Sequence, residues 1–289
     1  MRVRVVLASC MALAVLGGGL YLLGRHVGGA LPLLTQTCKV TAGGTLSLDP
    51  DQMANAATIA AVGITRKVPE RAVVIALATA QQESKLRNLP DGDRDSIGLF
   101  QQRPSQGWGS QKQIADPRYA AGKFYSALLR VEGWEKMPLA TAAQRVQRSA
   151  YGNAYARWED EAQILATALL GDESGAVACA IDEQPGKWGD DAAQALAKTV
   201  ALDWGRVDTK GTSGPSGIEL PVVAPRTGWQ YAHWLVAHAA DQGIKSVSFG
   251  GQRWTAKTGV WRKASGATTV AGANSSGGGR VIAEVYTSR

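Results

Sequence analysis

Gln81-Gln82-Glu83-Ser84-Lys85-Leu86-Arg87-Asn88, an acidic turn from Asp91 to Asp95, and then Gly98-Leu99-Phe100-Gln101-Gln102-Arg103 carry the strongest fold signal in the chain. Ahead of it, Val73 to Ala80 is apolar on every side and free of Gly and Pro. Such a segment predicts a helix buried all round, not an amphipathic surface helix. Glu83 then falls near the C-terminal end of that helix. Partial desolvation and the negative end of the helix dipole both disfavour a charged carboxylate there, so the pattern points to an acid able to deliver a proton.

The stretch resembles the lysozyme-like superfamily, and within it the lytic transglycosylases and goose-type lysozymes, in which a Glu-Ser pair ends a central helix and Gly-Leu-Met-Gln follows. Here Gly98-Leu99-Phe100-Gln101 begins 15 positions after Glu83, with Phe in place of Met. The likeness continues through Asp116-Pro117-Arg118-Tyr119-Ala120-Ala121-Gly122-Lys123-Phe124-Tyr125 and covers roughly residues 40 to 180. The family's Ala-Tyr-Asn-Ala-Gly stretch is absent, and Gln147-Arg148-Ser149-Ala150-Tyr151 stands near its place. The resemblance implies cleavage of the β-1,4 bond between N-acetylmuramic acid and N-acetylglucosamine in peptidoglycan, with Glu83 as acid and base and no cofactor.

Gln101, Gln102, Tyr119 and Tyr151 are candidate substrate-binding residues, because amide and phenol groups suit sugar hydroxyls and N-acetyl groups. Ser84 is grouped with them by position, although a serine near a helix end also bonds to backbone. It is not read as a nucleophile, since no histidine lies between His26 and His233 to activate it. Asp93 and Asp95 are candidates for a second carboxylate. If one holds a water in the groove the chemistry is hydrolysis; if neither does, the family pattern is attack by the sugar's own hydroxyl, leaving an anhydro product. Asp91, Asp93 and Asp95 alternate as in an EF-hand loop, but Ser96 and Gln102 stand where that loop needs Gly and Glu, so no metal is assigned. Trp108 is either a sugar-stacking face or a loop anchor.

Outward from this core, Arg2 and Arg4 precede Val5 to Leu23, which carries no charge. That span is expected to be an uncleaved signal-anchor, or a signal peptide cleaved near Gly28-Gly29-Ala30, within residues 1–30; either places the body outside the cytoplasm, at the cell membrane or secreted. Cys10 lies within the span. Cys38 and Cys179 bracket the lysozyme-like region, 31–184, and are expected to pair, the alternative being two buried thiols.

Asp49-Pro50 and Asp116-Pro117 read as helix starts, Val68-Pro69 leads into the helix that ends at Glu83, and further helices are expected at 139–151 and 155–170. After Cys179 the chain reads as a helix from Ala192 to Trp204 and a Gly/Ser/Pro/Thr-rich linker from Thr209 to Pro225, together 185–228. Residues 229–289 then show a helix and strands at Ile244–Phe249, Arg253–Thr255 and Val281–Tyr286, a small α/β part that resembles an accessory module at the end of actinobacterial exported proteins. The expected class is therefore α+β. Trp229, Trp234, Trp254 and Trp261 are expected mainly to fill its core. His233 and His238 fall on different helix faces and make no metal pair.

The 289 residues carry a net charge of +7, distributed as +3 over residues 1–30, −1 over 31–184 and +5 over 185–289. A basic tail on an exported protein suits an anionic wall polymer. No nucleic-acid-binding motif accompanies it, and no nucleic-acid partner is expected. The rival to the enzymatic reading is a non-catalytic wall-binding or envelope-assembly protein.

Overall fold

The computed structural model describes residues 36–148, 152–182, 186–264 and 279–288, so the apolar N-terminal span, Cys10 and Tyr151 lie outside the described residues. Among the described residues no helix is long and apolar enough to cross a membrane. The chain from Gln36 to Arg289 forms one compact unit of mixed helix and sheet.

The elements in order are strands β1 (Thr37–Thr41) and β2 (Thr45–Leu48), helices α1 (Pro50–Thr65), α2 (Glu70–Ser84), α3 (Gln111–Ile114), α4 (Pro117–Leu128) and α5 (Leu139–Gln147), a 3-10 segment at Gly152–Trp158, and α6 (Glu159–Leu169). Strand β3 (Val177–Ala180) and α7 (Gly189–Trp204) follow, then β4 (Lys210–Gly211), β5 (Gly217–Val222), α8 (Pro225–Ala237), α9 (Ala239–Gln242), β6 (Ile244–Phe249), β7 (Gln252–Thr255), β8 (Val260–Lys263) and β9 (Gly279–Val285).

Helix α2 is buried from Ala72 to Gln81 without a break, as its apolar circumference requires. Helices α1, α4 and α5, the 3-10 segment and α6 pack around it. Pro50 and Pro117 start α1 and α4, where a missing N–H costs nothing; Asp116 accepts the N–H of Arg118 at 2.9 Å. Helix α5 stops at Gln147, short of the expected 151, because Arg148 turns into the left-handed region at φ 52°. The expected helix from 155 opens as the 3-10 segment, and only Glu159–Leu169 is α-helical.

A small antiparallel sheet, β2-β1-β3, joins the two ends of this bundle. Cys38 and Cys179 sit directly opposite in its register and form a disulfide across 141 positions. Closing so long a loop stabilises by about 2–4 kcal/mol through the unfolded chain.

The second sheet is antiparallel throughout, in the order β4-β5-β9-β6-β7-β8. The segment expected to be linker thus supplies β5, which pairs with β9 along its whole length. Its turn-rich composition masks a two-residue alternation, for Ile218, Leu220 and Val222 are buried. Pro221 is tolerated because β4 is too short to reach it, so no ladder donor is missed on that side. At the other edge, β8 presents exposed Arg262 and Lys263.

Helices α7 and α8 pack against this second sheet, and α8 also packs on α1, α6 and β3. Trp229, Trp234 and Trp254 are core residues, and Trp261 donates its indole N–H to the Val177 carbonyl at 2.8 Å. A buried carboxylate, Asp203 on α7, ties the layers together. It accepts from Thr58 of α1 (3.0 Å) and from the Trp234 indole of α8 (2.8 Å), and pairs with Arg118 of α4. His238 stands within 3.3 Å of the same Thr58 hydroxyl and bonds Asp241 at 3.1 Å.

His233 makes a second tie. Its Nδ1 lies 2.7 Å from the Ala168 carbonyl, which only accepts, so Nδ1 carries the proton; Nε2 accepts the Ala176 N–H at 2.9 Å. The ring is therefore neutral, and burial pushes its pKa down to about 4 despite the opposing pull of the Ala168 carbonyl. The unfolded chain takes up this proton near pH 6.5 and the folded chain only near 4, so stability is full above about 6.5 and is lost as pH falls across that window. His233→Gln, which does not titrate, is expected to remove about 3 kcal/mol of acid sensitivity between pH 7 and 4, read from urea unfolding at each pH.

Candidate active site

Helix α2 ends abruptly. Lys85 and Leu86 both adopt left-handed conformations, φ 57° and 58°, each costing a residue with a Cβ about 1–3 kcal/mol. Three contacts offset this: Leu86 is fully buried, its N–H reaches the Ala80 carbonyl (3.2 Å), and α1 caps the reversal from outside. Gln52 donates to the Lys85 carbonyl and Asn55 to the Leu86 carbonyl, both at 2.8 Å.

The last turn before that reversal is fastened to one neighbouring segment residue by residue. Gln81 donates to Glu161 at 3.0 Å, the Gln82 side-chain oxygen accepts from Arg157 and from the Trp158 indole at 2.8 Å each, and Glu83 Oε1 accepts the Tyr155 hydroxyl at 2.5 Å. Tyr155 is fully buried while Glu83 is half-buried, so the phenol holds the carboxyl from the protein side. Lys85 lies 3.8 Å from the centre of the Trp158 ring; burial and the nearby Arg157 lower its pKa, with Glu161 acting the other way.

Ser84 is buried, its hydroxyl 2.8 Å from the Leu99 carbonyl and 3.1 Å from that of Ala80. It thus joins the helix end to the second motif. That motif is a tight reversal closed by the mutual Ile97–Gln102 backbone pair, 3.1 Å in each direction. Gly98 sits at φ 77°, and a Cβ there would come within 2.9 Å of the Ile114 carbonyl, so glycine is required on two counts.

Other sequence-derived candidates fall in distinct places. Gln101, at φ 47°, is partly exposed and folds its amide over Gly92, where a Cβ would come within 1.8 Å of Oε1. Gln102 is buried and donates to the Ala120 carbonyl at 3.1 Å, which puts it in the framework and not on a groove surface. The Tyr119 hydroxyl donates to the Trp108 carbonyl at 3.2 Å, so this pair anchors the loop after the motif. Asp93 is exposed near Arg94. Asp95 accepts from Arg103 Nε (2.7 Å) and from the backbone and hydroxyl of Ser105 (2.8 and 3.0 Å). These bonds, Arg103 first, hold its carboxyl well below the usual range and spend its oxygens on pinning the loop.

No family model matches this chain, and comparison with curated proteins finds no match. A single half-buried carboxyl, oriented by a buried phenol and backed by a rigid reversal, is suited to proton transfer. Among the described residues no cluster of three or more His, Cys, Asp or Glu is arranged to hold a metal ion.

Tyr155, Arg157 and Trp158 were not among the residues the sequence singled out, whose tyrosines were Tyr119 and Tyr151. No spacing rule joins positions 83 and 155; the one available signal was a tyrosine opening a segment expected to be helical. Gly98→Ala is expected to destabilise the protein by about 1–3 kcal/mol in chemical unfolding, whereas Gly107→Ala, with φ 79° but open space around it, is expected to cost less.

Proposed function

We propose that this protein cleaves the glycan strand of peptidoglycan at the N-acetylmuramic acid–N-acetylglucosamine β-1,4 bond, as a lysozyme-like lytic transglycosylase with Glu83 as its acid and base. The observation that carries the reading is the Tyr155–Glu83 bond at the end of the buried helix, beside the reversal tied to Ser84. With Oε1 held by the phenol, Oε2 is the oxygen free to carry the transferable proton.

In the first step Glu83 protonates the glycosidic oxygen as its bond to the muramic acid carbon breaks. The resulting carboxylate then accepts the proton of the same sugar's 6-hydroxyl as that oxygen attacks the anomeric carbon. Atoms balance without water, and Glu83 regains its proton. Engagement of Asp95 by Arg103 and Ser105 takes up one of the two candidate second carboxylates, which favours this single-carboxylate form over hydrolysis through Asp95. The reading also takes up the N-terminal apolar span as an export signal or anchor and the basic C-terminal third as a contact for anionic wall polymer; neither enters the chemistry.

Residues 36–289 incubated with purified sacculi are expected to release fragments that mass spectrometry finds one water lighter than their reducing-end counterparts. Glu83→Gln is expected to lower the release rate by about 100- to 10,000-fold, the range for loss of a general acid. Tyr155→Phe is expected to lower kcat roughly tenfold with little change in KM, as removal of one orienting hydrogen bond predicts. Equal release by wild type and Glu83→Gln would remove Glu83 from the mechanism. Sedimentation with sacculi without any release would favour the non-catalytic, wall-binding alternative.

A further inference from the structure

Between the turn at Gln106–Trp108, the later part of α4 with the residues that follow it, and the end of α5 lies a cleft of about 570 Å3. Lys123, Arg130, Arg145 and Arg148 line it, and no carboxylate does. Among the described residues none of these four cations has an acidic partner within ion-pair distance, and Arg130, Arg145 and Arg148 are exposed. Four like charges around one hollow repel one another; Lys123 stands 5.4 Å from the centre of the Tyr119 ring, and no carboxylate among the described residues offsets the repulsion. An anion in the hollow would turn that repulsion into attraction.

The cleft is joined to the Glu83 site through one side chain. Gln147 lines it and donates through Nε2 to the Phe100 carbonyl at 2.7 Å, one residue beyond the Leu99 carbonyl that Ser84 holds. Both regions therefore share a framework, although Glu83 is not among the residues lining the cleft.

We propose that this basic cleft binds the carboxylate-bearing peptide branches of the glycan strand while the uncharged sugars lie along Glu83. The inference rests on the substrate proposed above. A backbone of N-acetylated sugars offers nothing to four cations, whereas the peptides carried on the lactyl groups end in carboxylates. The volume suits a group larger than a single small ion, and the half-buried Trp108 at the rim provides apolar contact for a peptide side chain. The cleft thus makes the protein selective for strands whose peptides are still attached.

The test uses residues 36–289, the double charge reversal Arg130→Glu/Arg145→Glu on exposed positions, and Glu83→Gln. Each is given two preparations of glycan strand, one bearing peptides and one stripped of them by an amidase with the freed lactyl carboxylates then capped as methylamides, both freed of phosphodiester polymer. Wild type is expected to cleave peptide-bearing strands at least roughly tenfold more efficiently in kcat/KM, as several exposed ion pairs together predict. The double reversal is expected to lose that preference while its rate on stripped strands is unchanged. Glu83→Gln is expected to keep the binding preference in sedimentation, with salt weakening it.

Equal treatment of both strands by wild type, or a preference that survives the charge reversal, overturns the cleft assignment. So does binding that is absent from both preparations and appears only when phosphodiester polymer is added back to them. Loss of cleavage on both substrates with the charge-dependent binding preference intact would instead overturn the enzymatic reading and leave the cleft standing.

Discussion

A helix with no polar face has to be covered on every side, and that constraint shapes the bundle. From Ala72 to Ala80 helix α2 is buried at every residue, its one side-chain hydroxyl, on Thr79, turned back onto the Ile75 carbonyl, so α1, α4, α5, the 3-10 segment and α6 surround it. Polar groups on such a helix are confined to its end, where Gln81, Gln82, Glu83 and Ser84 fall in succession. Three bond outward to the 3-10 segment and α6, and the fourth bonds to the Gly98–Gln102 reversal. The candidate acid is therefore positioned by the termination of the element most deeply fixed in the molecule, and its surroundings are rigid because the core behind them is.

How much of this was legible follows from the range of each signal. The burial of α2 was readable because it rests on what is missing from eight consecutive residues, and the Glu83–Ser84 pair because its members are adjacent. The 15-residue step to Gly98 was readable as a motif, yet the reason for the spacing, a hydroxyl-to-carbonyl bond, was not. Tyr155 was out of reach, since a contact spanning 72 positions leaves no local period. Gln102 was read by its chemistry as a groove residue, whereas its side chain is buried and its amide donates to the Ala120 carbonyl, a contact 18 positions away that no local pattern announces. Strand β5 was hidden by the Gly, Ser and Pro around it, and β1, β2 and β3 are each too short for alternation to stand out.

The helical part and the large sheet are held together by polar groups that neither could bury alone. Asp203 belongs to α7, but its partners come from α1, α4 and α8, so it is satisfied only in the assembled unit. A carboxylate with no exposed side-chain surface would be strongly destabilising without Arg118, by about 3–5 kcal/mol on the scale of broken buried pairs. His233 works similarly with two backbone groups, from α6 and from the residue before β3. Such groups reward one relative arrangement and penalise slippage, which apolar packing of α8 against both layers would do less sharply.

The Cys38–Cys179 bond also decides how the molecule responds to a mechanical load. Tension applied between residue 36 and the C-terminus passes from β1 straight across the sulfur bridge to β3 and on to the large sheet. The intervening 140 positions, 39–178, a contour on the order of 500 Å if drawn out, lie off that path. Pulled between those two points, the protein would yield its large sheet first, while the segment bearing Glu83 and Tyr155 stayed slack and folded until the bridge was cut.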